Sequence, residues 1–266
     1  MEPSVLGSAR SRALPLALLP WLAAACSTFQ GREGTQFDAT VSYWRPEPHG
    51  DVEISAGSQP GTASKASLSN DLSLSDDDQW LGRLNVGMGK HRFGLEYLPI
   101  KMHDDGPVDI PFTFQGATFP TGDFVTTDLD LKTWALRWDW LLQSERKSLN
   151  ALRGGLGAWY WSFDAQVKGA NSGNNEERSF SHIYPGVQGN WVSEFGDGFI
   201  ATLDAAYALN SLDSRLMDFS LDFAYPVSDH GRLRVGYRYM RWDFEEHGDE
   251  GDFQLQGPFA ALTFTF

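Results

Sequence analysis

The chain holds a single cysteine, Cys26, so no disulfide can form within one molecule. Basic residues are scarce. Lys and Arg number 21 against 35 Asp and Glu, and a net charge of −14 leaves no basic face for a nucleic-acid backbone. Long apolar runs are missing after the first 25 residues. With 21% charged residues and a mean hydropathy of −0.34, nothing downstream supplies the roughly 20 apolar residues of a membrane helix. Phosphate-cradling glycine loops, zinc-ligand spacings and redox cysteine pairs are absent as well, so no cofactor is expected.

Low hydropathy leaves one membrane architecture open. In a β-barrel, lipid-facing apolar residues alternate with polar lumen residues, so the average stays low. What the chain has in quantity suits that form: 14% aromatic residues with ten Trp, and 27 Gly for tight turns and strand crossings. A length of 266 residues is enough for one large β domain.

The N-terminus reads as an export signal over residues 1–25. Arg10 and Arg12 precede an apolar run, Ala13 to Ala25, that is too short to stop in a membrane as a helix. Two processing readings stand side by side. Ala23-x-Ala25 fits a signal-peptidase site, and Leu22-Ala-Ala-Ala-Cys26 resembles a lipobox with Cys26 lipidated. Residues 26–34 form a polar lead.

From Thr35 to Phe266 the chain falls into ten segments of period two, separated by turn residues. Apolar faces include Phe37/Ala39/Val41/Tyr43, Trp134/Leu136/Trp138/Trp140 and Phe219/Leu221/Phe223/Tyr225. The connections alternate between short turns and longer polar stretches, as expected for periplasmic turns and outer loops. Arg45–Asp78, His103–Asp128, Gly169–Arg178 and Asp243–Asp252 read as outer excursions. Phe112–Pro120 reads as a small hairpin turned at Gln115-Gly116. The expected fold is all-β: an up-and-down antiparallel transmembrane barrel over residues 35–266. Ten strands are expected, with eight as the alternative count, and the outer hairpins are extended. A soluble β-sandwich or lipocalin-like barrel would share the alternation but place its apolar residues inward.

If the apolar face meets lipid, the opposite face lines the lumen. There stand five acids, Asp38, Glu96, Asp139, Asp204 and Asp222, and five bases, Arg83, Arg137, Arg153, Arg234 and Arg238. Unpaired burial would be costly, so an ion-pair network filling a narrow lumen is expected, with a small pore as the alternative. The periplasmic turns carry Lys90, Arg92, Arg146 and Lys147. The outer stretches are acidic, at Asp76-Asp77-Asp78, His103-Asp104-Asp105 and Glu245-Glu246-His247-Gly248-Asp249-Glu250. Such carboxylates could share a divalent cation and bridge to lipopolysaccharide phosphates, although a solvated, charged loop is the simpler reading and no EF-hand spacing is present. For enzyme chemistry the candidates are Ser179-Phe-Ser-His182 and the rim cluster at His103. Neither shows its partners in sequence, and a non-enzyme is expected.

The end of the chain carries the most specific signal. In Pro258–Phe266, Ala260, Leu262, Phe264 and Phe266 share one strand face, and Phe is the last residue. This resembles the C-terminal β-signal of bacterial outer-membrane barrels. With the hairpin series from Phe37, the chain resembles small outer-membrane barrel proteins of the OmpA-transmembrane, OmpX and OmpW kind. The resemblance implies the outer membrane of a Gram-negative bacterium. It implies outer-membrane lipid, lipopolysaccharide and the barrel-assembly machinery as partners, and no nucleic acid. The role expected is structural or surface-interacting, with a narrow channel or a surface hydrolase as alternatives.

Overall fold

The computed structural model describes residues 35–55, 63–72, 74–75, 77–144, 150–196, 198–210, 214–246 and 248–266. The export segment, the lead with Cys26, Asp76, Arg146, Lys147, Asp197 and His247 lie outside them.

Alternation drives the architecture. Ten strands form one antiparallel cycle: β1 (Thr35–Trp44), β4 (Gln79–Met88), β5 (His91–Pro107), β8 (Phe124–Ser144), β9 (Ala151–Gly169), β10 (Asn175–Phe195), β11 (Phe199–Leu209), β12 (Arg215–Pro226), β13 (Gly231–Glu246) and β14 (Asp249–Thr265). The first closes on the last, with Asp38 opposite Thr265 and Trp44 opposite Phe259, which leaves no edge inside the membrane. Ten, not the alternative eight, is the strand count. Leu136, Leu156, Ile183, Val187, Phe223 and Val235 project outward and stay exposed, while Glu96, Asp139, Asp222 and Arg238 are buried. That inverts a soluble barrel and gives a lipid-facing belt.

Several strands exceed what a membrane needs. A transmembrane strand takes about 9–11 residues. β11 and β12 have 11 and 12, but β8 and β10 have 21 each and β9 has 19. The ends of the stretches His103–Asp128 and Gly169–Arg178, and most of Asp243–Asp252, expected as loops, are therefore ladder. β5 pairs with β8 out to Pro107 opposite Phe124, and β13 with β14 out to Glu246 opposite Asp249. The reason lies in the inward face. Leu98, Ile100 and Met102 of β5, and Met240, Trp242 and Phe244 of β13, give each extension a core to cover.

In this outer region side chains from different walls of the barrel pack against one another across its interior. β2 (Glu47–Glu53) continues β1 along β14 after a kink at Arg45-Pro46, and β3 (Ala66–Ser67) flanks it. At the kink a side chain on Gly257 would overlap the Arg45 carbonyl oxygen, its Cβ lying only 2.0 Å away, so only glycine fits there. Where β11 and β12 stop, β10 and β9 meet β13 through side chains, with Phe180 and Phe244 rings 4.9 Å apart and Trp161 of β9 stacked on Trp242 at 6.2 Å. The hairpin of β6 (Phe112–Phe114) and β7 (Ala117–Phe119) turns at Gln115 and Gly116, both at positive φ, as a two-residue turn requires. It buries Phe112, Phe114 and Phe119 in the outer core. Its Gln115 amide donates to the Ile54 carbonyl (2.8 Å), which ties the hairpin to the segment after β2.

Candidate functional site

The lumen of the membrane half is the most chemically distinctive part of the molecule. Register decides who meets whom. Arg83 lies opposite Glu96 and Asp222 opposite Gly236, so inward side chains of adjacent strands converge on the axis. Glu96 is the hub. It accepts from Arg83 Nε (2.6 Å) and Arg238 Nη2 (2.6 Å), and Arg137 Nη2 stands 3.5 Å away. Asp218 accepts from Arg238 Nε (3.0 Å) and from Arg137 (3.2 Å). Asp204 takes Arg83 (3.2 Å) and the Asn190 amide (2.9 Å). Arg234 grips Asp222 through Nε (2.9 Å) and Nη2 (2.5 Å). Arg92 donates to Asp139 from Nε (3.0 Å) and Nη2 (2.9 Å), and Arg153 Nη1 lies 3.7 Å from the same carboxylate. Asp38 accepts from the Thr265 hydroxyl (2.7 Å) and the Gln36 amide (3.1 Å), and its partners are not arginines.

Of the ten residues expected on the lumen face, Glu96, Arg137, Asp139, Asp222 and Arg238 are buried, Asp38, Arg83, Asp204 and Arg234 line the inner cavity, and Arg153 lines its mouth. Three others were missed. Asp218 sits on the same face of β12 as Asp222, and its period-two spacing from it was the available signal. Arg92 was assigned to a turn, yet it is the second residue of β5 and points inward beside Asp139. Arg232, the second residue of β13, joins it at the periplasmic mouth.

Above the charges lies an apolar layer that alternation alone did not reveal. Trp44, Trp159, Trp161, Trp242, Phe163, Phe253 and Leu98 are fully buried inside the strands. Two cation–π contacts join the layers: Arg238 lies 5.6 Å from the Trp44 ring and Arg137 5.9 Å from that of Trp159. A side chain on Gly157 would run into the Trp159 ring (2.5 Å), so that glycine lets the indole lie across the lumen. The indole N–H groups of Trp159, Trp161 and Trp242 find no acceptor among the described residues, a desolvation cost set against the burial of their rings. Below the network is a cavity of about 130 Å³, lined by Arg83, Arg92, Asp139, Asn190, Asp204 and Arg232 among others.

The enzyme candidates come apart on inspection. Period two puts Ser179 and Ser181 on the exposed face of β10 and His182 on the inner face, where it stacks on Trp161 at 6.3 Å and hydrogen-bonds Asn210 (3.1 Å). His103 Nδ1 meets Asp128 Oδ1 at 2.6 Å, but both are exposed on the convex outside of the wall. Asp104 accepts from the Ser75 hydroxyl (2.7 Å), and Asp78 accepts from the Tyr43 hydroxyl. Other outer acids pair with nearby bases: Arg241 with Asp243 (2.8 Å) and Asp252 (2.7 Å), Lys132 with Asp130 (3.2 Å), and Arg215 with Asp243. Among the described residues, no group of three or more His, Cys, Asp or Glu stands ready to hold a metal ion.

No family model matches the chain, and no curated relative does. Solved structures do. The outer-membrane protease OmpT from Escherichia coli superposes with a TM-score of 0.52 at 11% identity, over 87% of this chain and 97% of that one. The transport unit of the autotransporter AIDA-I from Escherichia coli gives 0.41 at 9% identity, over 89% and 92%. Neisserial surface protein A gives 0.34 at 14% identity, over 89% and 100%. The likeness is one of fold. With the closed ladder and the apolar belt, it identifies a barrel of the bacterial outer membrane.

Proposed function

We propose that the protein is a sealed, non-enzymatic outer-membrane barrel that raises an extension of the same strands above the bilayer for surface interaction. One observation carries this reading: the aromatic and aliphatic layer inside the outer strands, with Trp44, Trp159, Trp161, Trp242 and Phe253 all at 0% exposure. Water and ions have no polar path through such a layer, and opening one means separating side chains packed at interior density. The ion-pair network beneath it removes the cost of burying charge. Above, the wall shows water alternating acids and bases on β5, β8, β9 and β13, a face suited to polar partners. In this reading lipopolysaccharide surrounds the outer-leaflet part of the belt, and the assembly machinery reads Ala260, Leu262, Phe264 and Phe266.

The channel alternative draws on the 130 Å³ cavity, but Arg137, which lines it, packs on Trp159, and Arg238 beyond it packs on Trp44. Planar-bilayer recording of the refolded full chain separates the two, with a heat-modifiability gel as the folding control. The expected record is flat at applied potentials of both signs. Discrete conductance steps from folded protein would overturn the sealed reading.

A further inference from the structure

The lumen is closed outward but not inward. Deep in the network the charges balance: Arg83, Arg137 and Arg238 stand against Glu96, Asp204 and Asp218, and Arg234 against Asp222. At the periplasmic end they do not. Among the described residues, three guanidiniums, Arg92, Arg153 and Arg232, stand with two carboxylates, Asp38 and Asp139, around a mouth of about 280 Å³ and the inner cavity it adjoins. Arg232 lines both spaces, and its guanidinium makes no ion pair or hydrogen bond with any described residue. Three further polar atoms there are buried and unsatisfied: Arg153 Nη1, Asp139 Oδ1 and Asn190 Oδ1. The first two face each other at 3.7 Å, too far for a hydrogen bond. A positive excess and a free guanidinium thus line the open mouth, and an orphaned donor and two orphaned acceptors lie buried in the wall around it, in a protein whose net charge is −14.

We propose that this mouth binds inorganic phosphate from the periplasm, in a form that still carries a proton. Guanidinium groups match oxyanions in geometry and charge, and Arg232 and Arg153 Nη1 supply the donors. The acceptors make the choice among oxyanions. Asp139 Oδ1 and Asn190 Oδ1 need a donor, which a phosphate hydroxyl provides. Sulfate has no proton to give and would set its oxygens against a carboxylate, so the same Asp139 that completes a phosphate site repels sulfate. A phosphomonoester loses its last proton at about pH 6, so it too is disfavoured at neutral pH. The site is blind, because the network and aromatic layer stand above it, so it holds the anion rather than passing it. The inference does not depend on the seal being complete.

The test is calorimetric titration of the refolded full chain in nanodiscs at pH 7.5 and constant ionic strength, with inorganic phosphate, sulfate and glycerol phosphate as the injected anions. The expected result is one saturable phosphate site, with sulfate and glycerol phosphate each at least tenfold weaker. R232Q and R153Q should each weaken phosphate at least tenfold, while K132Q on the outer wall leaves it unchanged. D139N should narrow the gap between phosphate and sulfate, because an amide can donate to either. Absence of saturable phosphate binding, sulfate binding as tight as phosphate, or wild-type affinity in R232Q would overturn the proposal. Should D139N fail the gel-shift folding control, the wild-type preference for phosphate over sulfate remains a complete test by itself.

Discussion

Two halves of β8 show opposite chemistry on the same strand without a change of register. From Trp134 to Trp140 the outward positions are Trp134, Leu136, Trp138 and Trp140, and the inward ones include Arg137 and Asp139. From Val125 to Lys132 the inward positions are Val125, Thr127, Leu129 and Leu131, and the outward ones include Asp128, Asp130 and Lys132. β9 reverses at the same level, from Arg153 inward and Leu156 outward to Phe163 inward and Asp164 outward. The backbone is one continuous ladder. What changes is the solvent outside it. Against lipid, apolar side chains gain little by turning inward, so the lumen is free to be polar and is held by ion pairs and a closed ladder. Against water, apolar burial stabilises by about 25 cal/mol per Å², and the same inward face becomes a hydrophobic core.

The two halves should therefore fail in different ways. The largest loss is expected from Glu96→Gln. It leaves Arg83, Arg137 and Arg238 without their shared carboxylate, and breaking a buried pair from one side costs about 3–5 kcal/mol. Urea unfolding of the refolded barrel measures it, and a change within error would mean that the network contributes nothing. Trp161→Ala empties the outer core and should cost about 3–5 kcal/mol, with the loss concentrated in the outer half. Limited proteolysis should then cut β9, β10 and β13 above the membrane while the gel shift of the barrel persists. Simultaneous loss of both would show one cooperative unit instead of two. Leu136→Arg puts a charge on the lipid face and should cost about 2–4 kcal/mol in bilayers. Arg241→Ala removes two half-exposed pairs, to Asp243 and Asp252, and should cost about 1 kcal/mol.

The smallest effect expected is a pH-dependent one in the outer half. Asp123 accepts from the backbone amides of Asn171 (2.7 Å), Phe124 (2.8 Å) and Ser172 (3.3 Å), pinning the β9–β10 turn to the start of β8. The Ser172 hydroxyl first, then these amides, hold its carboxyl below the usual carboxylate range. A depressed carboxyl stabilises fully above its unfolded pKa and loses that contribution as pH falls through the folded value. Protection of the Asn171 and Ser172 amides should therefore drop in acid well before the membrane strands loosen. Unchanged protection down to the pH where the whole barrel unfolds would remove the clamp from the description.

The membrane half was legible because its signal is periodic. Ten alternating segments, the short turns and the terminal Ala260–Phe266 strand each state which face meets lipid, and the opposite face then names Glu96, Arg137 and Arg238. The outer half hid for a physical reason. Once the outward positions become Asp128, Asp130 and Lys132, a ladder has the composition of a solvated loop. His103–Asp128 and Asp243–Asp252 therefore read as excursions, although Ile100, Met102, Leu129, Trp242 and Phe244 keep the inward period. Trp159 and Trp161 were not picked out, because the inward parity of Arg153 was not followed up the strand. Arg92 and Arg232 were hidden differently, since a residue beside a tight turn shows no alternation of its own.

The reversal itself can be measured site by site. Nitroxide labels at the outward positions of β8, from Thr126 to Trp140 in steps of two, report collision with oxygen dissolved in lipid against a water-soluble nickel reagent. The expected profile is aqueous from Thr126 to Lys132 and lipidic from Trp134 to Trp140, with one crossover between Lys132 and Trp134. Lipid accessibility that continues to Asp128, or water accessibility at Leu136, would contradict the division of the molecule into a polar-filled membrane barrel and an apolar-filled outer extension of the same strands.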